Sequence, residues 1–261
     1  MANVVALYRY PVKGLTPEPC TSLTIGADGR VVGDRVLGIR LADTPAADAE
    51  WSPKAGMLVL MNTPGLARLR VRFDAAAQRL QVTLDGRMLA DEALDAAGRA
   101  KLAEVFAGYA LSLDESPLNG HPERLPLRII GDGVTGRYQD NPTGQVTLHS
   151  RASLAAVAQT FGAPDFDERR FRSNLVVDGI GAWEEQAWAG RRLQIGGATF
   201  AFDHPTGRCL ATHANPETGE RDRQVMTTLT HAFGQEKPTF AVHLRMELPG
   251  EVRLGDRVEV L

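Results

Sequence analysis

The sequence has little of what membrane proteins and disulfide-stabilised proteins require. Its 261 residues include two cysteines, Cys20 and Cys209, too few for a disulfide framework, which indicates a reducing compartment. No apolar run approaches the roughly 20 residues of a membrane-spanning helix. The first residues, MANVVALYRYPVKG, lack the basic start and long apolar stretch of a signal peptide. We therefore expect a soluble cytoplasmic protein without a membrane partner.

The sequence also lacks a strong charge imbalance and the common catalytic signatures. Its net charge of −3 gives no general attraction for nucleic acid, so no nucleic-acid partner is expected. It contains no HExxH motif, Walker loop, dinucleotide-binding glycine fingerprint or nucleophile elbow. The six histidines are scattered, and each is more readily explained as structural or exposed than as catalytic.

What is present is a series of short strand patterns with a few helices between them. Helical spacing covers residues 94–106, a capped helix is predicted over 150–160, and 225–233 can form a third. Most other apolar segments are short and end at turn residues. The sequence therefore predicts a β-rich α+β fold of barrel-like character. The stretch 114–126 concentrates proline, glycine and charge, and we interpret it as a domain boundary.

Cys209 lies in the stretch GRCLATHANPETGER, residues 207–221. Cysteine is most often a small buried hydrophobic residue, but the adjacent Arg208 would favour a thiolate, the form that binds metal. A structural zinc site needs about four protein ligands. No second cysteine is near, and the NPETG turn argues against a helix that would bring His213 to the same face. A single thiolate fits a metal whose other ligands come from a cofactor.

Several basic residues stand at turns beside predicted strands. Lys13 in YPVKG and Arg35 in GDR are either solvated surface residues or cations directed at a phosphate or acidic ligand. The segment DERRFRSN, residues 167–174, is either a solvated basic loop or a site of anion recognition, in which Asn174 can both donate and accept. Because the basic patch is local, a compact anionic ligand fits it better than a nucleic acid.

Ser150 and Ser153 bracket the predicted start of the helix over 150–160. Serine at such a position commonly caps the helix. A helix N-terminus can also accept a phosphate, so both roles can coexist there.

The motifs YPVKG, GDR, FRSN, RCLATHANPETGE and LGDRVEVL, in this order, together resemble MOSC-domain proteins. This group includes the mitochondrial amidoxime-reducing component and its bacterial relatives. The resemblance implies a MOSC N-terminal β-barrel-like domain at residues 1–118 and a MOSC β-barrel domain with flanking helices at residues 119–261. It also implies a molybdenum cofactor (molybdopterin) and no pyridoxal phosphate. In such a cofactor the metal is held by a pterin dithiolene, oxo groups and one protein cysteine, which falls on Cys209.

The resemblance further assigns residues to the cofactor. Those expected to bind it are Lys13, Arg35, Ser150, Ser153, Arg172, Asn174 and Arg208, the last beside the metal. The family's common F-R-P-N reads FRSN here. Ser173 therefore replaces a proline, which leaves Arg172 and Asn174 in place.

The implied function is an oxidoreductase that reduces N-hydroxylated compounds such as amidoximes, hydroxylamines and N-hydroxylated bases. Some bacterial relatives continue into a ferredoxin-like domain with four cysteines. The present sequence, which ends at Leu261, contains no such group of cysteines. A small-molecule substrate is therefore expected to receive electrons from a separate ferredoxin-, flavin- or cytochrome-type reductase. Two alternatives stay open. One is a non-catalytic carrier of cofactor or sulfur, because MOSC domains also occur attached to cofactor sulfurases. The other is a β-rich domain with a buried cysteine and solvated arginines.

Overall fold

Strands dominate the secondary structure. The computed structural model describes residues 2–45, 47–48, 50–51, 54–141 and 145–261. The strands in these ranges are β1 Asn3–Arg9, β2 Glu18–Cys20, β3 Ser22–Ile25, β4 Gly38–Arg40, β5 Leu69–Asp74, β6 Arg79–Leu84, β7 Arg87–Ala93, β8 Arg128–Ile130, β9 Val146–Ser150, β10 Leu175–Asp178, β11 Arg192–Ile195, β12 Ala198–Gly207, β13 Thr239–Leu248, β14 Gly250–Arg253 and β15 Val258–Val260. The α-helices are α1 Ala96–Leu111, α2 Arg151–Thr160 and α3 Val225–His231. The predicted β-rich α+β class is confirmed.

An eight-stranded sheet forms the centre of the fold. Its strand order is β15-β11-β12-β13-β9-β10-β1-β2; β9 and β10 run parallel, whereas β13 runs antiparallel to both β12 and β9. The pairing of β12 with β13 shifts register at three places, and such bulges bend a strand and increase its twist. The sheet curls into a half-barrel. Its inward apolar side chains, among them Leu7, Leu148, Leu175, Phe200 and Leu244, form one hydrophobic core.

A second core lies in the first half of the chain. The antiparallel sheet β5-β6-β7 and the pair β4-β8 surround it together with α1. Leu102, Phe106 and Ala110 are buried at intervals of four residues along α1, which is the spacing that keeps them on one face. The side chain of Asp95 caps this helix by accepting a hydrogen bond from the Gly98 amide, at 2.8 Å.

Residues near the N-terminus join the central sheet. β1 pairs with β10 on one side and with β2 on the other, so the loop that follows β1 lies beside strands from the second half. The division into residues 1–118 and 119–261 stays a prediction. None of the helices in the described ranges has the length and apolarity needed to span a membrane.

Most predicted elements agree with the structure within a few residues, but two segments differ. The partial alternation of apolar and polar residues over 66–73 predicts one strand there, whereas Pro64–Arg68 is a 3-10 helix and β5 starts only at Leu69. Proline suits the first turn of a helix, where its missing amide hydrogen is not needed. The strand β7 was not predicted; it returns along β6 after the Asp85-Gly86 turn.

Candidate functional site

A cleft of about 250 Å³ lies between segments that are far apart in the sequence. Its walls come from residues 13–14, 35, 54, 59–61, 139–141, 145, 147, 170–172, 206–209, 211–212 and 243. Five predicted site residues meet there: Lys13, Arg35, Arg172, Arg208 and Cys209. The fold thus brings the N-terminal motifs and the cysteine motif to one place.

The cleft is strongly cationic. Among its described lining residues the cations are Lys13, Arg35, Lys54, Arg170, Arg172 and Arg208, and the carboxylate is Asp140. Charges of one sign along a partly enclosed cleft focus the electrostatic potential and raise the local concentration of opposite charge. An anionic ligand is therefore the electrostatically matched occupant.

Two arginines with left-handed backbone flank the buried ring of Tyr10. Arg35 has φ 51° and Arg172 has φ 53°. Their guanidinium carbons lie 5.0 and 4.4 Å from the ring centroid, within the range of a cation–π contact. Arg35 pairs with Asp34, which raises the pKa of Arg35 although burial acts against the charge. Left-handed non-glycine residues are uncommon and cluster at functional sites.

Arg172 has no carboxylate partner among the described residues. Its Nη1 donates a hydrogen bond to the carbonyl of Leu15. Burial lowers the pKa of Arg172 to about 10, and the positive charge of Arg35 acts in the same direction. Because no described carboxylate neutralises it, the guanidinium of Arg172 can pair with an anionic ligand.

Lys13 enters the cleft already engaged with protein groups. Its Nζ donates to Asp140 Oδ1 at 2.6 Å and to the carbonyl of Tyr138 at 2.8 Å. Burial lowers the pKa of Lys13, and Asp140 opposes that effect. Burial alone would raise the pKa of Asp140, but Lys13 and Lys54 hold it well below its usual range. The positive charge of Lys13 is therefore already paired with Asp140 inside the cleft.

Cys209 stands between β12 and a short 3-10 helix, Leu210–His213. The residue is half-buried, and its carbonyl accepts from the amide and the hydroxyl of Thr212, both at 3.0 Å. Nowhere in the described part of the chain do three or more His, Cys, Asp or Glu side chains form a group that could hold a metal ion. A metal bound at the Cys209 sulfur would thus take its other ligands from a non-protein group.

Arg208 fixes the backbone next to the thiol. Its Nε donates to the carbonyl of Phe240 at 2.7 Å and its Nη1 to the carbonyl of Phe171 at 2.8 Å, while its own amide donates to Pro238 O at 2.8 Å. It forms no ion pair with a described carboxylate. Burial lowers the pKa of Arg208 to about 10, and the adjacent Cys209 acts in the opposite direction. Arg208 therefore places a buried positive charge beside the sulfur.

Asn174 lies behind the cleft wall and is not among its lining residues. Its side-chain amide donates to Tyr8 O at 3.1 Å and to Asp34 Oδ1 at 3.3 Å. Its Oδ1 accepts from the Thr147 hydroxyl at 3.2 Å. Asn174 thus supports the carboxylate that holds Arg35, and its predicted contact with a cofactor stays a prediction.

Ser150 and Ser153 also lie outside the cleft. Ser150 caps α2 by accepting from the Ser153 amide at 3.0 Å, and its hydroxyl donates to Glu185 Oε2 at 3.0 Å. Glu185 is fully buried, so its carboxyl group occupies the place at this helix start where a phosphate would bind. The capping role agrees with the structure, and the cofactor contact of the two serines stays a prediction.

Several lining residues were not singled out from the sequence. Lys54, Asp140 and His243 come from three different segments, and no motif marked them. Arg170 lay within the basic segment 167–174, and its pair with Asp222, at 2.7 Å, explains why its charge is already compensated.

The chain is similar to a known protein family and to several known proteins. Residues 135–259 match the model of the MOSC domain family, which supports the resemblance that the sequence motifs indicated. The chain is similar to mitochondrial amidoxime-reducing component 1 of Mus musculus, with 32% identity over 35% of this chain and 29% of that protein.

Three further matches differ in how much they cover. A molybdenum cofactor sulfurase of Anopheles gambiae is 30% identical over 41% of this chain and 15% of its own length. Mitochondrial amidoxime reducing component 2 of Macaca fascicularis is 23% identical over 99% of this chain and 83% of its own length. The solved structure of the YUAD protein from Bacillus subtilis has 12% identity and a TM-score of 0.45, over 99% of this chain and 94% of that chain. The chain thus spans less than a third of the mouse and mosquito relatives.

Proposed function

We propose that the cleft binds a molybdenum cofactor, with Cys209 as the protein ligand of the metal. The observation that carries this proposal is a lone thiol on the wall of a cationic cleft. The donor set fits the group, since a pterin dithiolene would supply the remaining soft ligands. Relatives named for the molybdenum cofactor and for amidoxime reduction support the same reading.

The cationic residues would hold the cofactor's phosphate. Arg172 and Arg35 offer planar donors suited to bidentate phosphate contacts, and Lys13 adds a point charge that Asp140 keeps in place. Arg208 would stabilise negative charge at the Cys209 sulfur. These residues bind and orient, whereas the bound group would supply the two-electron chemistry.

The proposed activity is reduction of N-hydroxylated small molecules with electrons from a separate donor protein. The name of two relatives, amidoxime-reducing component, supports this reaction class. The second candidate is a cofactor or sulfur carrier, which the similarity to molybdenum cofactor sulfurases favours. Both candidates use the same cleft and the same cysteine, and they differ in turnover.

The test begins with metal content. Wild-type protein, Cys209→Ser and the matched control Cys20→Ser are purified from a molybdate-fed host and analysed for molybdenum. We expect molybdenum in the wild type and in the Cys20 variant, and its loss from the Cys209 variant with unchanged thermal unfolding of the apo protein. A wild type without molybdenum, or equal loading of the Cys209 variant, would contradict the proposal.

Turnover then separates the two candidates. Loaded wild-type protein is mixed with an artificial electron donor and an amidoxime, and the amidine product is measured. Product formation that disappears in Cys209→Ser supports the reductase. Full molybdenum loading without product supports the carrier instead.

A further inference from the structure

A row of polar side chains crosses the central sheet beneath the cleft. His204 on β12, His243 on β13 and Thr147 on β9 are register partners, so their backbones lie side by side on adjacent strands. His243 and Thr147 both line the cleft. The row continues to Asn174, whose Oδ1 accepts from the Thr147 hydroxyl at 3.2 Å. The imidazole of His243 therefore lines the same cleft as the cationic side chains.

The His243 ring has a buried nitrogen that no described residue satisfies. Its Nδ1 is inaccessible to water and has no hydrogen-bond partner. A buried polar atom without a partner costs free energy, about 1–3 kcal/mol, and calls for a structural or functional explanation. The neighbouring His204 ring has its centroid 4.6 Å away, but it is tied to Asp203 through its own Nδ1, at 2.8 Å. Because His243 lines the cleft, a ligand bound there lies beside this imidazole and can change its protonation.

The charged groups around His243 keep it neutral while the cleft is empty. Burial lowers its pKa to about 4, and His204 on β12, Arg208 after β12 and Arg35 from the turn before β4 act in the same direction. Asp203 on β12 acts in the opposite direction. The partner on β9, Thr147, carries no charge. An anion bound beside Arg35 and Arg208 would offset their effect and favour the imidazolium.

The other cleft-lining groups are poorly suited to exchanging protons near neutral pH. Arginines stay protonated, Lys13 is bound to Asp140, and Asp140 is held as a carboxylate. Cys209 is the proposed metal ligand. Among the described lining residues this leaves one imidazole, and imidazole is the side chain most often used for proton transfer in enzymes.

We propose that His243 is the proton donor of the cleft. Its imidazole takes up a proton when an oxyanion occupies the cationic part of the cleft, and it gives that proton to the oxygen that leaves the substrate. The inference rests on the proposed reductase function. Reduction of a hydroxylamine converts R–NH–OH, two electrons and two protons into R–NH2 and water, and the N–O bond breaks. The separate electron-donor protein supplies the electrons. His243 supplies one proton to the departing oxygen, the second proton comes from the bulk solvent, and the imidazole is then reprotonated from the solvent.

Proton uptake can be measured without cofactor or turnover. Inorganic phosphate is titrated into apo protein by calorimetry at pH 6 to 7 in buffers of different ionisation enthalpy, with wild type, His243→Gln and the surface control His231→Gln. We expect proton uptake on phosphate binding in wild type and control, and a smaller uptake in His243→Gln. Absence of phosphate binding, or equal uptake in all three proteins, would overturn the inference. Histidine ring NMR of the same samples should show the His243 pKa rising when phosphate is bound.

Activity provides a second readout. In loaded protein His243→Gln should lower kcat about 100-fold, within the usual contribution of general acid catalysis, while molybdenum content and KM stay close to wild type. The fall in wild-type kcat at high pH should be absent in the variant. A loaded, active wild type with an unaffected His243→Gln variant would refute the role of His243 and leave the proposed function standing.

Discussion

Replacing Arg172 should cost the empty protein little stability and yet remove its response to anions. The lowered pKa of Arg172, about 10 against the usual 12.5, corresponds to about 3 kcal/mol of unfavourable burial of its charge. Because the cleft admits water, we take about half of this as the gain when the charge is removed. The hydrogen bond to the Leu15 carbonyl contributes about 1 kcal/mol in the other direction.

These opposing contributions nearly cancel for Arg172→Gln. We expect the free energy of unfolding of the apo variant to lie within about 1 kcal/mol of wild type. Phosphate at 100 times its dissociation constant should stabilise wild type by about 2.7 kcal/mol, and the variant far less. Urea unfolding with and without phosphate measures both quantities.

Arg169, in the 3-10 helix Glu168–Phe171 that ends just before Arg172, is the matched control. It pairs with Asp167 and Glu217 and is not among the lining residues of the cleft. Arg169→Gln should therefore lower stability by up to about 1 kcal/mol and leave the phosphate response intact. A loss of more than about 2 kcal/mol in apo Arg172→Gln, or a full phosphate response in that variant, would refute the claim that Arg172 is a buried charge held for a ligand.

Three further variants test the packing of the fold. Gly219→Ala should lower the free energy of unfolding in urea by about 2 kcal/mol, because φ is +73° and a Cβ atom would lie 2.7 Å from the Gly65 Cα. Gly190→Ala is the control: φ is +77° and the space around it is open, so this variant should cost only the backbone strain of the positive φ. His149 is buried, and neither ring nitrogen has a hydrogen-bond partner among the described residues. Burial lowers its pKa to about 3, so below about pH 6.5 the unfolded chain takes up a proton that the folded protein does not, and wild-type stability falls. His149→Leu should gain about 1 kcal/mol at pH 7 and a further 2 kcal/mol or so over wild type at pH 5; a constant difference between the two pH values would contradict this.

The strands of this fold were largely predictable because turn residues mark their ends. The pair β11 and β12 flanks Gly196-Gly197, and the structure shows the antiparallel pairing expected of a hairpin there. β7 escaped prediction because its sequence, RMLADEA, contains acidic and helix-favouring residues. Its pairing with β6 outweighs that weak local preference.

The lining of the candidate site was predictable only for residues that stand in recognisable sequence motifs. Cys209 and Arg208 are adjacent in sequence, whereas Asp140 and His243 reach the cleft through tertiary structure alone. The start of α2 shows the same limit. Local sequence correctly indicates a cap at Ser150, but the buried carboxylate that occupies the helix start comes from Glu185, 35 positions away. No local sequence pattern indicates a partner so far away in the chain.

The charge balance of the cleft indicates what kind of anion it suits. Arg35 is compensated by Asp34 and Arg170 by Asp222, while Lys13 and Lys54 share Asp140. Within the described residues Arg172 and Arg208 have no such carboxylate, so the cationic groups exceed their acidic partners by three charges. A phosphate monoester carries a charge of about −2 near neutral pH and leaves one positive charge beside the Cys209 sulfur. Because unpaired charges inside the protein destabilise it, an anion bound beside Arg172 and Arg208 would also offset the cost of burying their charges.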